Sequence, residues 1–228
     1  MLALETSSPQ LSLAAGTFEQ VLATYKGAMQ WRHAEGLFEG LTNLLRQLNW
    51  PVQSLRGVAV SVGPGSFTGI RIGLAAARTL GQTRKIPVVG VSALEALAFG
   101  QPLPEGLICP VLDALRGSVF AALYERLPGG RWCAVHPAVH WPSDRWWAKA
   151  KMLAHGRSVW VTGNALKSDP PRLKGLRVQR AAEKHWYPKA SAVLHLAAPR
   201  LKKAGANSYR RVQPLYLREA AAQERLRG

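Results

Sequence analysis

The stretch Val60-Ser61-Val62-Gly63-Pro64-Gly65-Ser66-Phe67-Thr68-Gly69-Ile70-Arg71-Ile72-Gly73 decides how this chain is built. Its start, within Gly57–Val62 (GVAVSV), is a short apolar run next to glycines, the signature of a buried strand. Gly63 to Gly69 is a glycine-rich turn, and a helix follows from about Ile70 to Thr83. A turn of this kind presents backbone N–H groups where the helix dipole is positive, so a phosphate or carboxylate is at home there. Gly63, Gly65 and Ser66 are the residues that would hold it. The competing reading is a tight turn in which Ser66 or Thr68 caps the helix. No Gly-Lys-Ser/Thr follows, and Thr68 stands where a dinucleotide fingerprint needs its third glycine.

The helix carries a second signal. Gly69, Gly73, Ala77 and Gly81 recur at steps of four and make a narrow stripe almost without side chains. Glycine costs about 0.8–1.0 kcal/mol per helical position relative to alanine, so the stripe needs a reason. Either another helix approaches closely, or the helix presses on the chain's own sheet. We read a partner contact, because the preceding helix offers an apolar face of Leu37, Phe38, Leu41 and Leu45. Two such helices can pair with two from a partner as a four-helix bundle.

Working outward, Leu2–Glu5, the alternating Leu11, Leu13 and Ala15, and Gln20–Lys26 read as three strands joined by tight turns. Ala34, Leu37, Phe38, Leu41, Leu44, Leu45 and Leu48 then recur at three- and four-residue steps, a helix that Pro51 ends. Pro87–Val91 is a strand and Ala93–Phe99 a helix, giving β-β-β-α-β-α-β-α. After the Gly/Pro-rich stretch Gly100–Gly106 the order begins again. Leu107–Asp113, Ser118–Tyr124 and Arg131–His136 are strands, Asp144–His155 a helix, Ser158–Thr162 a strand. The expected class is α/β, with two related units over residues 1–100 and 101–228, the second degraded.

The chain has 228 residues with 47% hydrophobic, enough for a real core and against global disorder. Two cysteines, Cys109 and Cys133, cannot build a disulfide framework or a four-thiolate metal site, and they fit a reducing cytoplasm. No run of 18 apolar residues suggests a membrane span. Net charge is +17, divided as +3 over residues 1–100 and +14 over 101–228. The basic half is either a solvated surface or a face for RNA, with tRNA as the anionic partner. His136 and His140 are four apart, but Pro137 between them and Pro142 after them argue for extended chain and against a metal pair. Asp113, which ends a strand, reads as structural.

At these residues the chain resembles a known family. Leu2–Ala14 (LALETSSPQLSLA), Val58–Leu80 (VAVSVGPGSFTGIRIGLAAARTL), Val88–Ala98 (VVGVSALEALA), Val111–Tyr124 (VLDALRGSVFAALY), Val161–Asn164 (VTGN) and Val212–Glu219 (VQPLYLRE) are similar to the TsaB (YeaZ) family. The resemblance implies the actin/Hsp70/sugar-kinase (ASKHA, ribonuclease H-like) fold, with two related β-β-β-α-β-α subdomains. It implies a part in forming N6-threonylcarbamoyladenosine at position 37 of ANN-decoding tRNAs. The family's members are non-catalytic partners of the paralogue TsaD, work with the ATPase TsaE, and form a homodimer when alone. No cofactor is then required by this chain, with ATP or ADP entering only in the complex. The paralogue has a VNHLEGH-like stretch whose two histidines hold a metal. Here Val91–Leu97 reads VSALEAL, with Ala93 and Leu97 in the histidine places, and neither side chain can ligate a metal. The alternative is an ATPase or small-molecule kinase of the same superfold, for which the glycine loop and paired units are the motive. No protease constellation is present.

Overall fold

In a computed structural model, the structure describes residues 1–28, 33–100, 103–167 and 175–218. Two compact units emerge, one of residues 1–96 with 188–215, the other of 97–187 with 216–228. The first unit is a five-stranded sheet in the order β3-β2-β1-β4-β5. Its strands are β1 (Leu2–Glu5), β2 (Gln10–Gly16), β3 (Val21–Ala28), β4 (Val58–Ser61) and β5 (Val88–Val91). β1 runs antiparallel to β2 and parallel to β4, in register Leu2↔Val58. The helices are α1 (His33–Gln47), α2 (Phe67–Arg84) and α3 (Ala93–Phe99), the last at the boundary between the units.

Side-chain size divides the faces of this sheet. Strand residues alternate sides, and here large ones alternate with alanine. Leu2, Leu4, Leu13, Val58 and Val60 join the core formed with α1 and α2. Ala3, Ala14 and Ala59 point the other way and meet Ala190, Val193, Ala197 and Leu201 of α5 (Ala190–Lys203). Small residues on both surfaces let that helix lie close to the sheet.

The second unit repeats the order as β10-β9-β6-β7-β8. The strands are β6 (Gly106–Asp113), β7 (Ser118–Arg126), β8 (Trp132–Pro142), β9 (Val159–Thr162) and β10 (Val178–Arg180), with α4 (Ser143–Ala154) between β8 and β9. β6 runs antiparallel to β7 and parallel to β9, as β1 does to β2 and β4. The core holds Leu107, Val111, Leu123, Trp146, Trp147 and Val161. Where β4 leads into the 18-residue α2, β9 leads into a 3-10 turn of four residues, Asn164–Lys167. The division at 1–100 and 101–228 therefore changes: the first boundary falls at 96/97, and a later segment returns to the first unit. Residues 188–215, α5 among them, belong to the first unit, because the alanine face of that sheet is where α5 finds its partner.

What seats α2 is the turn after β1. Glu5, Thr6, Ser7 and Ser8 are all buried. The Thr6 hydroxyl donates to the Gly69 carbonyl over 2.8 Å. A Cβ on Gly69 would stand 2.0 Å from the Thr6 carbonyl oxygen, and one on Gly73 2.2 Å from Thr6 Oγ1. Ala77 is fully buried, and a Cβ on Gly81 would meet Val88 and Tyr209. The small-residue stripe thus faces inward. This corrects the reading of Gly69, Gly73 and Ala77 as a partner surface. The place a partner helix would occupy is filled by Thr6 and by the chain's own sheet.

Below Thr6 lies a buried acid. Glu5 Oε1 accepts from the Ser7 N–H at 2.7 Å and the Ser7 hydroxyl at 2.6 Å, and Oε2 has no partner at hydrogen-bonding geometry. Burial raises the carboxyl pKa above its ordinary 4.5, against the opposing pull of the Ser61 and Ser7 hydroxyls and of the Ser7 and Ser8 N–H groups. The neutral acid is the form the fold prefers.

Two outcomes follow for stability. Gly73→Ala is expected to lose about 1–3 kcal/mol in urea unfolding, because the new methyl collides with Thr6. An unchanged midpoint would place the stripe elsewhere. For Glu5, the unfolded carboxyl ionises near 4.5 and the folded one only at higher pH, so wild-type stability falls as pH rises from there to the folded pKa. The melting-temperature difference between Glu5→Gln and wild type is expected to be constant below pH 4.5 and to grow in favour of glutamine above it. A difference that is flat or shrinks with pH contradicts the neutral acid.

Candidate functional site

With the glycine face of α2 turned inward, its next face round the helix looks out. Ile72, Ala76 and Leu80 recur at steps of four and line an apolar groove between α1 and α2. The groove has a volume of about 460 Å³. Leu37, Phe38, Leu41 and Leu45 of α1 line the other wall, and Val52 and Leu55 close one end. Leu37 and Leu41 are buried and form the floor, Leu45 is half-buried, and Phe38 is 64% exposed. A phenylalanine this far into solvent, beside an apolar channel, is a conspicuous exposed surface.

Of the sequence-read interface residues, the structure therefore gathers Leu37, Phe38, Leu41 and Leu45 at one groove and removes Gly69, Gly73 and Ala77 from it. Ile72, Ala76 and Leu80 are the residues that reading overlooked. Their own period-four spacing was the available signal, masked by the adjacent stripe of glycines.

The glycine turn serves the fold. Ser66 is the N-cap of α2, its hydroxyl accepting from the Gly69 N–H over 3.1 Å. The Ser66 N–H donates to the Ser7 carbonyl at 2.8 Å. Gly63 and Gly65 have φ of +95° and +151°, and a Cβ on Gly65 would stand 2.2 Å from the Ser7 carbonyl oxygen. Close passage over the β1–β2 turn thus accounts for Gly65, and the positive φ with Ile70 alongside accounts for Gly63. Two N–H groups that a phosphate would seek, those of Ser66 and Gly69, already have acceptors.

The remaining candidates make contacts of their own. His136 stacks edge-on against Trp141 and Trp146 on the α4 side of the sheet, whereas His140 lies against Phe120. One register shift in the β7–β8 pairing, between Ala121 and Leu123, falls between their partners Phe120 and Leu123. The two imidazoles consequently do not share a face. Asp113 Oδ1 accepts from the Leu115 N–H at 2.8 Å and closes its own turn. Ala93 and Leu97 are buried on α3. Cys109 is buried, which pushes its thiol up to about 12, and Cys133 is exposed. The side chain of His33, at the start of α1, lies outside those described. Among the described residues no helix is long and apolar enough to cross a membrane.

Comparison with known proteins places this geometry. The chain is similar to the TsaB tRNA threonylcarbamoyladenosine biosynthesis protein of Bacillus subtilis, with 37% identity over 125 residues, 55% of each chain. That match spans about half the relative's length. The Escherichia coli TsaB protein aligns over 100% of this chain and 98% of its own, at 25% identity. The solved structure of YeaZ from Pseudomonas aeruginosa superposes with a TM-score of 0.78 at 24% identity, covering 95% of this chain and 98% of that one. A ROK hexokinase from Thermus thermophilus gives 0.52 at 11% identity over 90% of this chain and 99% of that one, a likeness of fold. The architecture is the α/β actin-like ATPase fold. Residues 22–154 match the family described as TsaD, tRNA N6-adenosine threonylcarbamoyltransferase. Covering more than half of the sequence, that match makes the chain a member of the TsaD-type family, in its TsaB (YeaZ) branch.

Proposed function

We propose that this chain is a docking and activating subunit in the formation of N6-threonylcarbamoyladenosine on ANN-decoding tRNAs, and that the transfer chemistry belongs to a TsaD-type sister subunit. The observation that carries the reading is the apolar groove between α1 and α2 with Phe38 standing out of it. An actin-like half that presents two helices in this way offers a paralogue built on the same plan a four-helix contact. Activation is a population shift: the sister's competent conformation binds the groove better than its idle one, and docking raises the fraction poised for transfer. The side chains Ala93 and Leu97 support the division of labour, since neither methyl nor isobutyl can ligate a metal. In the absence of the sister, the same groove accommodates a second copy of this chain. A TsaE-type ATPase completes the assembly, which works in the cytoplasm, where the tRNA is. Nucleotide, ATP or ADP, enters with the assembly and not through the Gly63–Ser66 turn, whose Ser66 N–H and Oγ are engaged inside the fold.

The test is co-elution of the full chain with a TsaD-type subunit, followed by mass-spectrometric measurement of modified adenosine in tRNA. Phe38→Asp and Leu45→Asp are expected to abolish co-elution and modification together. Phe38→Ala, at an exposed position, is expected to change stability by under ~0.5 kcal/mol and to weaken the complex about tenfold or more. Undiminished complex formation by all three variants, or tRNA modification by this chain alone, contradicts the proposal.

A further inference from the structure

The stretch of the second unit that runs through β8 and α4 has a basic excess. Residues 131–157 carry Arg131, Arg145, Lys149, Lys151 and Arg157 against the carboxylate of Asp144. Arg157 is engaged by Glu125 at 2.6 Å. Among the described residues, Arg145 and Lys149 have no ion-pair partner. They stand one helical turn apart on α4, so their cationic ends share one flank of the helix. Arg145 lies over the Trp141 ring at 4.4 Å, and His136 meets the same ring at 5.4 Å. The result is a guanidinium stacked on a tryptophan, with a second cation without an ion-pair partner one helical turn further on, beside the edge strand of the sheet.

The edge itself excludes one kind of partner. β8 is the last strand in its sheet, and such edges recruit another strand when they are regular. Here Pro137 removes an N–H, and the β7–β8 register shifts twice, between Ala121 and Leu123 and between Leu123 and Tyr124. Strand addition is thus disfavoured, and recognition falls to the side chains of the rim. Their chemistry, spaced cations and a ring with a stacked guanidinium, suits a phosphodiester chain with accessible bases. Phosphates meet the cations, and an unpaired base stacks on the outer face of the guanidinium that the indole holds flat.

We propose that the Trp141–Arg145–Lys149 rim is an RNA-binding surface that holds the tRNA substrate by its backbone. The choice of RNA over an acidic protein rests on the reading above, in which this chain works within a tRNA-modifying assembly. The rim lies on β8 and α4 of the second unit and uses no groove residue. Loss of one function therefore leaves the other measurable.

Binding of fluorescein-labelled, unmodified tRNA to the full chain, followed by anisotropy across salt, tests it. Wild-type affinity is expected to fall steeply, by at least tenfold between about 50 and 200 mM KCl, and the Arg145→Gln/Lys149→Gln pair to reduce the log–log slope by about 2. Both positions are at least partly solvent-accessible, so the pair is expected to fold. Trp141→Leu is expected to weaken binding several-fold with the slope retained. Lys202→Gln/Lys203→Gln on α5 is expected to leave binding as it was, and Phe38→Asp likewise. No tRNA binding by wild type, a flat salt response, equal losses from the α5 pair, or displacement by poly-glutamate as effective as by unlabelled RNA would each overturn the proposal.

Discussion

The seat of Thr6 against α2 is the contact from which the rest follows. A β-branched threonine in a fully buried turn needs both a hydroxyl acceptor and space for its own bulk. Gly69 supplies the acceptor and gives up its side chain, and Gly73 gives up the second. Through Ser7, the same turn also receives the Ser66 N–H and so fixes where α2 begins. One rotation of α2 about its axis is allowed by this clamp. That rotation turns Ile72, Ala76 and Leu80 outward beside Phe38. The clamp thus creates the apolar groove without contributing an atom to it.

The buried acid beneath the clamp is the price of its compactness. Glu5 satisfies both Ser7 donors yet leaves Oε2 unmatched. Burial penalises the charged carboxylate more than these donors offset, which shifts the balance toward the protonated form. The Glu5 carboxyl, the Ser7 turn and the start of α2 are linked through successive hydrogen bonds. The acid is thereby tied to the placement of a helix.

Much of this was legible in the residues. The alternation Leu2, Leu4 against Ala3 and the period of Leu37, Leu41 and Leu44 fix strand and helix faces, because burial imposes those periods locally. The repeated β-β-β-α-β order was readable for the same reason, and the structure adds that the two sheets share one strand order. The stripe of Gly69, Gly73 and Ala77 was visible too, but spacing cannot tell which neighbour fills it. Its partner, Thr6, lies more than sixty residues away in sequence and is a non-local contact. The return of α5 to the first sheet was hidden likewise. Ala3, Ala14 and Ala59 look like ordinary small strand residues until a helix from the far end of the chain lies on them.

Side-chain footprinting by hydroxyl radicals, with and without a TsaD-type subunit, tests the outward face of α1 and α2 most directly. Free in solution, Phe38 and Met152, 64% and 67% exposed, should both be oxidised. On addition of the sister subunit, the account predicts protection of Phe38, Leu45 and Ile72 while Met152 on α4 continues to react. Equal oxidation of Phe38 in the free chain and in a verified complex would contradict it.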